Sequence, residues 1–211
     1  MAMTGFDPTK VHTAIGNVNT AYGDLMTAMY TDVKTFVDNM GSYWACQHAI
    51  DFFGAFKEGM DLALKDAYNV FTSVVGAMNS AGRAWGADTK TDYYDKSFDG
   101  ELKTTDVSSI VENINGIRGI DKTMAETEIT SLDTISTAVS DALGKAKSAV
   151  DDVGFEGEGQ AEALKTSLDT IKTKFSGVVE TFNTDARTAI SDTISEYTDT
   201  AGKIKEAFTA E

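Results

Sequence analysis

Only one proline occurs in the 211 residues, and it is Pro8. About two hundred residues follow without the side chain that removes a helix amide and clashes with the preceding turn. For a chain so free of helix breakers, the spacing of its apolar residues decides the fold class. In the first segment they are Val11, Ile15, Val18, Tyr22, Leu25, Met29, Val33, Phe36 and Met40. Every step is three or four residues, which lays them on one helix stripe. Asp7-Pro8 suits a helix start, because Asp accepts from free amides and Pro fits the first turn. Gly41-Ser42 is the expected end.

A second stripe runs Ala49, Phe53, Phe56, Met60, Leu64, Tyr68, Phe71, Val75, Met78 and Gly82, reaching Trp85. The period vanishes between Gly86 and Thr105, which reads as a connection. A third helix is expected from near Asp106, carrying Ile110, Ile114, Ile117, Met124, Ile129, Leu132, Ile135, Val139, Leu143, Val150 and Val153, with Gly116 and Gly119 fraying or bending it. After a glycine-bearing break at Gly154–Gly159, the fourth stripe extends from Ala161 through Leu168, Phe175 and Phe182 to Phe208. No such stripe is satisfied alone. The expected fold is all-α: two long helical hairpins, residues 1–100 and 104–211, packed as an elongated antiparallel four-helix bundle. The halves share one plan, and aligning their breaks sets Trp44 over Phe155 and Cys46 over Gly157.

Charge narrows the function. The net formal charge is −15, and both halves are acidic, −5 up to Thr105 and −10 beyond it. A phosphate backbone or an anionic lipid surface would be repelled. Cys46 is the only cysteine, so no intrachain disulfide forms. Neither a basic-plus-apolar leader nor a run of about twenty apolar residues is present in the sequence. The expected location is therefore the cytoplasm, or outside the cell by a route without a cleaved signal peptide.

Chemistry is sparse. Cys46 and His48 stand two residues apart and do not face one another on a helix, and His12 is the only other histidine. The expectation is a packed thiol with an exposed imidazole, and no metal site. The acids Asp151, Asp152, Glu156 and Glu158 lack the spacing of an EF-hand loop. No nucleophile–base order or phosphate-binding glycine loop stands out, so no catalytic residue, cofactor or enzyme activity is expected. The aromatics Trp85, Tyr93, Tyr94 and Phe98 flank the connection, as a cap on the bundle end or a partner surface. Met26, Met29, Met60 and Met78 follow the stripes as core filler.

The breaks carry the sharpest local signal: Trp44-Ala45-Cys46 in the first half and Phe155-Glu156-Gly157 in the second. An aromatic followed two residues later by a small residue, between two long helices, plugs the hairpin end and lets the chain pass close by. With its hairpin length, acidity and tandem plan, the chain resembles the WXG superfamily of small type VII secretion substrates. Cys46 stands where that family has Gly, and Phe155 where it has Trp. The resemblance implies leaderless helical hairpins that pair antiparallel into four-helix bundles, here fused into a pseudo-dimer that acts as a monomer. It also implies a protein partner in a secretion pathway and recognition by helix faces. The family's Tyr-x-x-x-Asp/Glu export signal is missing, since no tyrosine has an acid four residues on. A rival expectation is a ligand-binding or sensor bundle, with a pocket lined by Phe52, Phe53, Phe56 and Trp85. A membrane-entering toxin component fits less well, for lack of a long apolar hairpin.

Overall fold

The computed structural model describes residues 7–153 and 158–209. It is all-α apart from two two-residue strands. Helix α1 spans Pro8–Met26 and begins as expected, with the Asp7 carboxylate accepting from Thr9 N at 2.9 Å. Through a π-helical segment, Thr27–Asp32, it continues into α2, Val33–Tyr43. Leu25, Met29 and Val33 remain on one buried face through this wider turn. Met29 and Val33 are buried at 0% and 1% exposure.

Strand β1, Trp44–Ala45, separates α2 from α3, Gln47–Thr89. Strand β2, Gly119–Ile120, precedes α4, Lys122–Ile129, and α5, Ser131–Asp152; α6 is Glu158–Thr209. The two strands pair antiparallel, Trp44 with Ile120 and Ala45 with Gly119. Four long rods result. The first, α1–α2, lies against α5 and α3, and α6 lies against α3 and α5. Cross-rod pairs give the directions. Asn39 bonds Glu128 while Lys145 reaches Asp24 at 2.7 Å, so α1 and α5 are antiparallel. Cys46 meets Thr193 and Asp66 pairs with Lys174, so α3 and α6 are antiparallel too. The four stripes close on one core that includes Val18, Leu25, Phe36, Phe53, Phe71, Leu132, Val139, Leu168, Phe175 and Phe182. Met26, Met29, Met60 and Met78 belong to it. Each fully buried side chain of this size contributes about 1.5–3 kcal/mol.

The connection differs from the expected one. Helix α2 runs through Gly41-Ser42 to Tyr43, and α3 continues to Thr89, where Lys90 caps it in the left-handed region at φ 55°. From there the chain stays non-helical until β2, so the third helix does not start near Asp106. Residues 91–121 form a long strap that carries the chain back along α1 and α3 to the Trp44 end. The cause lies at Asn115-Gly116. Both residues have positive φ, 51° and 80°, and Ile114 and Ile117 exchange two 2.9 Å backbone bonds around them. That is a type I′ turn, the favoured two-residue hairpin loop, and no helix passes through it. The spacing of Ile110, Ile114 and Ile117 matches a helix by coincidence: Ile110 is buried, and Ile117 is 71% exposed at the hairpin tip. The second half therefore lacks a full-length first helix, and α4–α5 begins at Lys122 with Asp121 as its cap.

Close approach of the strap needs Gly82 on α3, since a Cβ there would overlap the Tyr93 ring. We expect Gly82→Ala to lower stability by about 1–3 kcal/mol through overpacking. Gly76→Ala, where a Cβ meets nothing within 4 Å, should raise it by up to about 1 kcal/mol from helix propensity. Urea midpoints of the two variants check this, and equal midpoints would contradict the seated strap.

Candidate functional site

The first turn motif closes the hairpin from the inside. Trp44 leaves α2 with φ −138° and ψ 102°, and Cys46 follows at φ −167° and ψ 173°. The chain reverses over three extended residues, with no left-handed position, so nothing in the backbone demands glycine where Cys46 stands. Trp44 is 0% exposed, its ring 5.6 Å from Phe52 and 6.2 Å from Phe53. Beyond these stands Phe182 of α6, with Phe52 and Phe56 both at 4.9 Å and Phe36 at 5.2 Å. Aromatics from three rods thus converge in tilted and edge-to-face contacts, each worth about 0.5–1.5 kcal/mol beyond burial.

The plug is not fully satisfied. Trp44 Nε1 is buried with no hydrogen-bond partner, a cost of about 1–3 kcal/mol that packing must offset. Cys46 is buried, its Sγ 4.0 Å from Thr193 Oγ1, while the Thr193 hydroxyl donates to Ala189 O at 2.8 Å. His48 is half exposed, 3.6 Å from Glu196. The thiol and imidazole are thus apart, as their spacing implied. Phe155 and Gly157, the second turn motif, lie outside the described residues. Among the described residues no group of three or more His, Cys, Asp or Glu is placed to hold a metal ion.

The four aromatics expected at the bundle end are divided, which corrects that reading. Tyr93 and Phe98 lie along the side of the bundle, in the strap. The Tyr93 hydroxyl donates to Asn79 Oδ1 at 2.8 Å, and Phe98 packs on Tyr22 at 4.9 Å and Tyr68 at 5.7 Å. Tyr94 is 74% exposed, beside the His12 ring at 4.5 Å. Trp85 is half-buried on the last turns of α3. What gathers the strap is Asn79, a residue the sequence reading passed over. Its amide mimics a strand neighbour: Oδ1 accepts from Lys96 N at 3.0 Å, and Nδ2 donates to Lys96 O at 2.8 Å. Its signal in the sequence was a polar residue directly beside Met78 on an apolar stripe. Further along, Asn19 donates to Ser97 O, Tyr22 donates to Glu101 O at 2.7 Å, and Thr105 N donates to Asp61 Oδ1 at 2.6 Å. The last bond and Lys57 hold the Asp61 carboxyl below its ordinary pKa against desolvation, the largest single influence.

A second feature is open to solvent. Between α3 and α6 runs an apolar groove of about 760 Å³, lined by Phe52, Phe56, Leu62, Val178 and Phe182 over small residues. Of the aromatics expected to line a pocket, Phe52 and Phe56 do so. Phe53 turns into the core at 0% exposure, and Trp85 does not line the groove. Searches of protein-family models, curated proteins and solved structures found no match to this chain.

Two outcomes follow. Trp44→Ala should cost about 3–5 kcal/mol, the range for an aromatic removed from a core, read from urea unfolding; a parent-like midpoint would mean that Trp44 is not a plug. The second concerns alkali. Burial, helped by Tyr68 and Glu101, pushes the Tyr22 phenol up to about 12 from its ordinary 10.0. In that interval the unfolded chain releases a proton that the folded chain keeps, so Tyr22 weakens the fold as pH rises from about 10 to about 12, with no loss below. Tyr22→Phe, weaker by about 1 kcal/mol at neutral pH for its lost hydrogen bond, should lose less between those limits. Denaturation at both pH values tests the sign.

Proposed function

We propose that this chain is a non-enzymatic helical interaction protein of the WXG type, a substrate or partner of a type VII secretion system, exported without a cleaved leader and acting as a monomeric pseudo-dimer. One observation carries the reading. The Trp44 turn lies at one end of the bundle, and the last turn of α5, where Asp151 pairs with Lys165 of α6, lies toward the other. Like helices meet across the hairpins, α1 on α5 and α3 on α6, both antiparallel. This is the arrangement of two hairpins paired head to tail, the plan implied by the resemblance, written in one polypeptide. The strap supports it, because its return to the Trp44 end lets the second hairpin enter in that direction. The buried Trp44 and the small, extended Cys46 support it as well. The apolar surface a single hairpin would offer a second subunit is already covered within the chain.

A second reading, a bundle that binds a small ligand, has one observation in its favour, the apolar groove between α3 and α6. A ligand carried through purification and seen in native mass spectrometry would select it.

The full chain, expressed in a Gram-positive host with and without its secretion ATPase, should reach the medium only with the ATPase. The purified protein should scatter light as a monomer of 22.6 kDa. Retention in the cells of both strains would overturn the export reading, and a stable dimer would overturn the pseudo-dimer.

A further inference from the structure

Across the described surface, the α3–α6 groove combines shape, apolarity and a charge pattern. We infer that it receives an amphipathic helix of a partner protein, three to four turns long, with an apolar ridge and a basic flank. The inference rests on the interaction-protein reading above and adds the place and chemistry of the contact.

The shape sets the length. Along α3 the groove runs from Phe52 to Asp66 and along α6 from Lys174 to Asp185. At about 1.5 Å per residue this is about 16–21 Å, three to four helical turns. Its floor is low because Ala55, Gly59 and Ala63 succeed one another at four-residue steps on α3, with Val178 of α6 against Gly59 and Gly177 beside it leaving open space. A row of small residues at that step is an open channel for the ridge of a third helix. Phe56 and Phe182 are buried in its wall, while Leu62 on its rim is left 65% exposed.

Charge decides the occupant. At one end the Asp66–Lys174 pair bridges the two helices, with exposed Lys65 beside it. Toward the other end the groove is lined by Asp185, and the face of α3 that carries Ala55 and Leu62 also carries exposed Asp51 and Glu58. Asp185 lines that half of the groove, Asp51 and Glu58 stand on the adjoining exposed face of α3, and no ammonium or guanidinium group is among the described residues lining that half. A helix with Lys or Arg on that flank would be complementary. A second copy of this chain would bring another −15 charge against that acidic rim. Fatty acids and anionic lipids meet the same repulsion.

The test uses the full chain and two fluorescein-labelled four-turn peptides with one Leu/Ala ridge, one flanked by Lys and the other by Glu. The Lys peptide should bind, more weakly at high salt, and at least about tenfold more tightly than the Glu peptide. Gly177→Leu fills the groove from a position where a Cβ meets nothing within 4 Å. It should keep the parental circular dichroism and melting temperature while losing at least about tenfold in affinity. Asp185→Lys should narrow the gap between the peptides. Equal binding of both peptides, or undiminished binding to Gly177→Leu, overturns the proposal. So does a dimer abolished by Gly177→Leu, which would make the occupant a second copy, or binding of dodecylamine in place of the Lys peptide, which would make it a small amphiphile. Export intact with no peptide binding sinks the groove alone, and peptide binding without export sinks the secretion reading alone.

Discussion

The bidentate grip of Asn79 on the backbone of Lys96 is the interaction on which the assembly turns. Helix α3 ends at Thr89, about 65 Å of helical rise from the Trp44 turn, yet α4–α5 must start at that turn to run antiparallel to α1. The chain has to travel back without forming a helix. Extended backbone laid on a bundle carries polar groups that need partners wherever water is excluded. Asn79, Asn19, Tyr22 and Asp61 supply them from the two helices the strap crosses. Tyr93, Phe98, Val107, Ile110 and Ile120 add apolar contact with the core.

The strap also shapes the bundle it crosses. It is anchored to both α1 and α3, through Lys96 Nζ to His12 O and Lys96 N to Asn79, and so occupies the seam between them. The main packing of each rod is with the opposite hairpin, α1 with α5 and α3 with α6. At the other end of its path the strap closes through Asp121 N on Tyr43 O at 2.7 Å and the short ladder of β1 with β2. The Trp44 turn is thereby held by the α3 rings of Phe52 and Phe53 and by the returning strand. A buried indole N–H with no acceptor survives there because the surrounding packing outweighs it.

Surface and core divide the labour on α3 and α6. Their inner faces supply Phe53, Leu64, Leu168 and Phe175 to the core. Their outer faces meet in the groove, where alanine and glycine hold the side chains low and leave apolar surface uncovered. Acidic residues on that rim match the charge of the molecule as a whole, which favours a basic partner over self-association.

The sequence by itself determined the helical class, the Asp7-Pro8 start, the stripes of the first, second and fourth rods and of the third from Ile129 on, the core methionines and the inward placement of Trp44. Each of these follows from local spacing and cap chemistry, and a proline-free chain has little to set against them. The acidic character is likewise local information. Only the tertiary structure decided the fate of residues 91–121. Ile110, Ile114 and Ile117 fit a helical period, yet Asn115-Gly116 reverses the chain between the last two, because a two-residue turn with both φ positive is incompatible with helix. Asn79 is one polar residue on an apolar stripe until Lys96, distant in sequence, is laid beside it. Tyr93 and Phe98 are an aromatic cluster at a connection until the fold gives them glycine and tyrosine surfaces to lie on. The groove was equally hidden, since it belongs to neither helix alone. It exists because the small residues of α3 and α6 are brought face to face, and a helical period records which residues share a face but not which face is left uncovered.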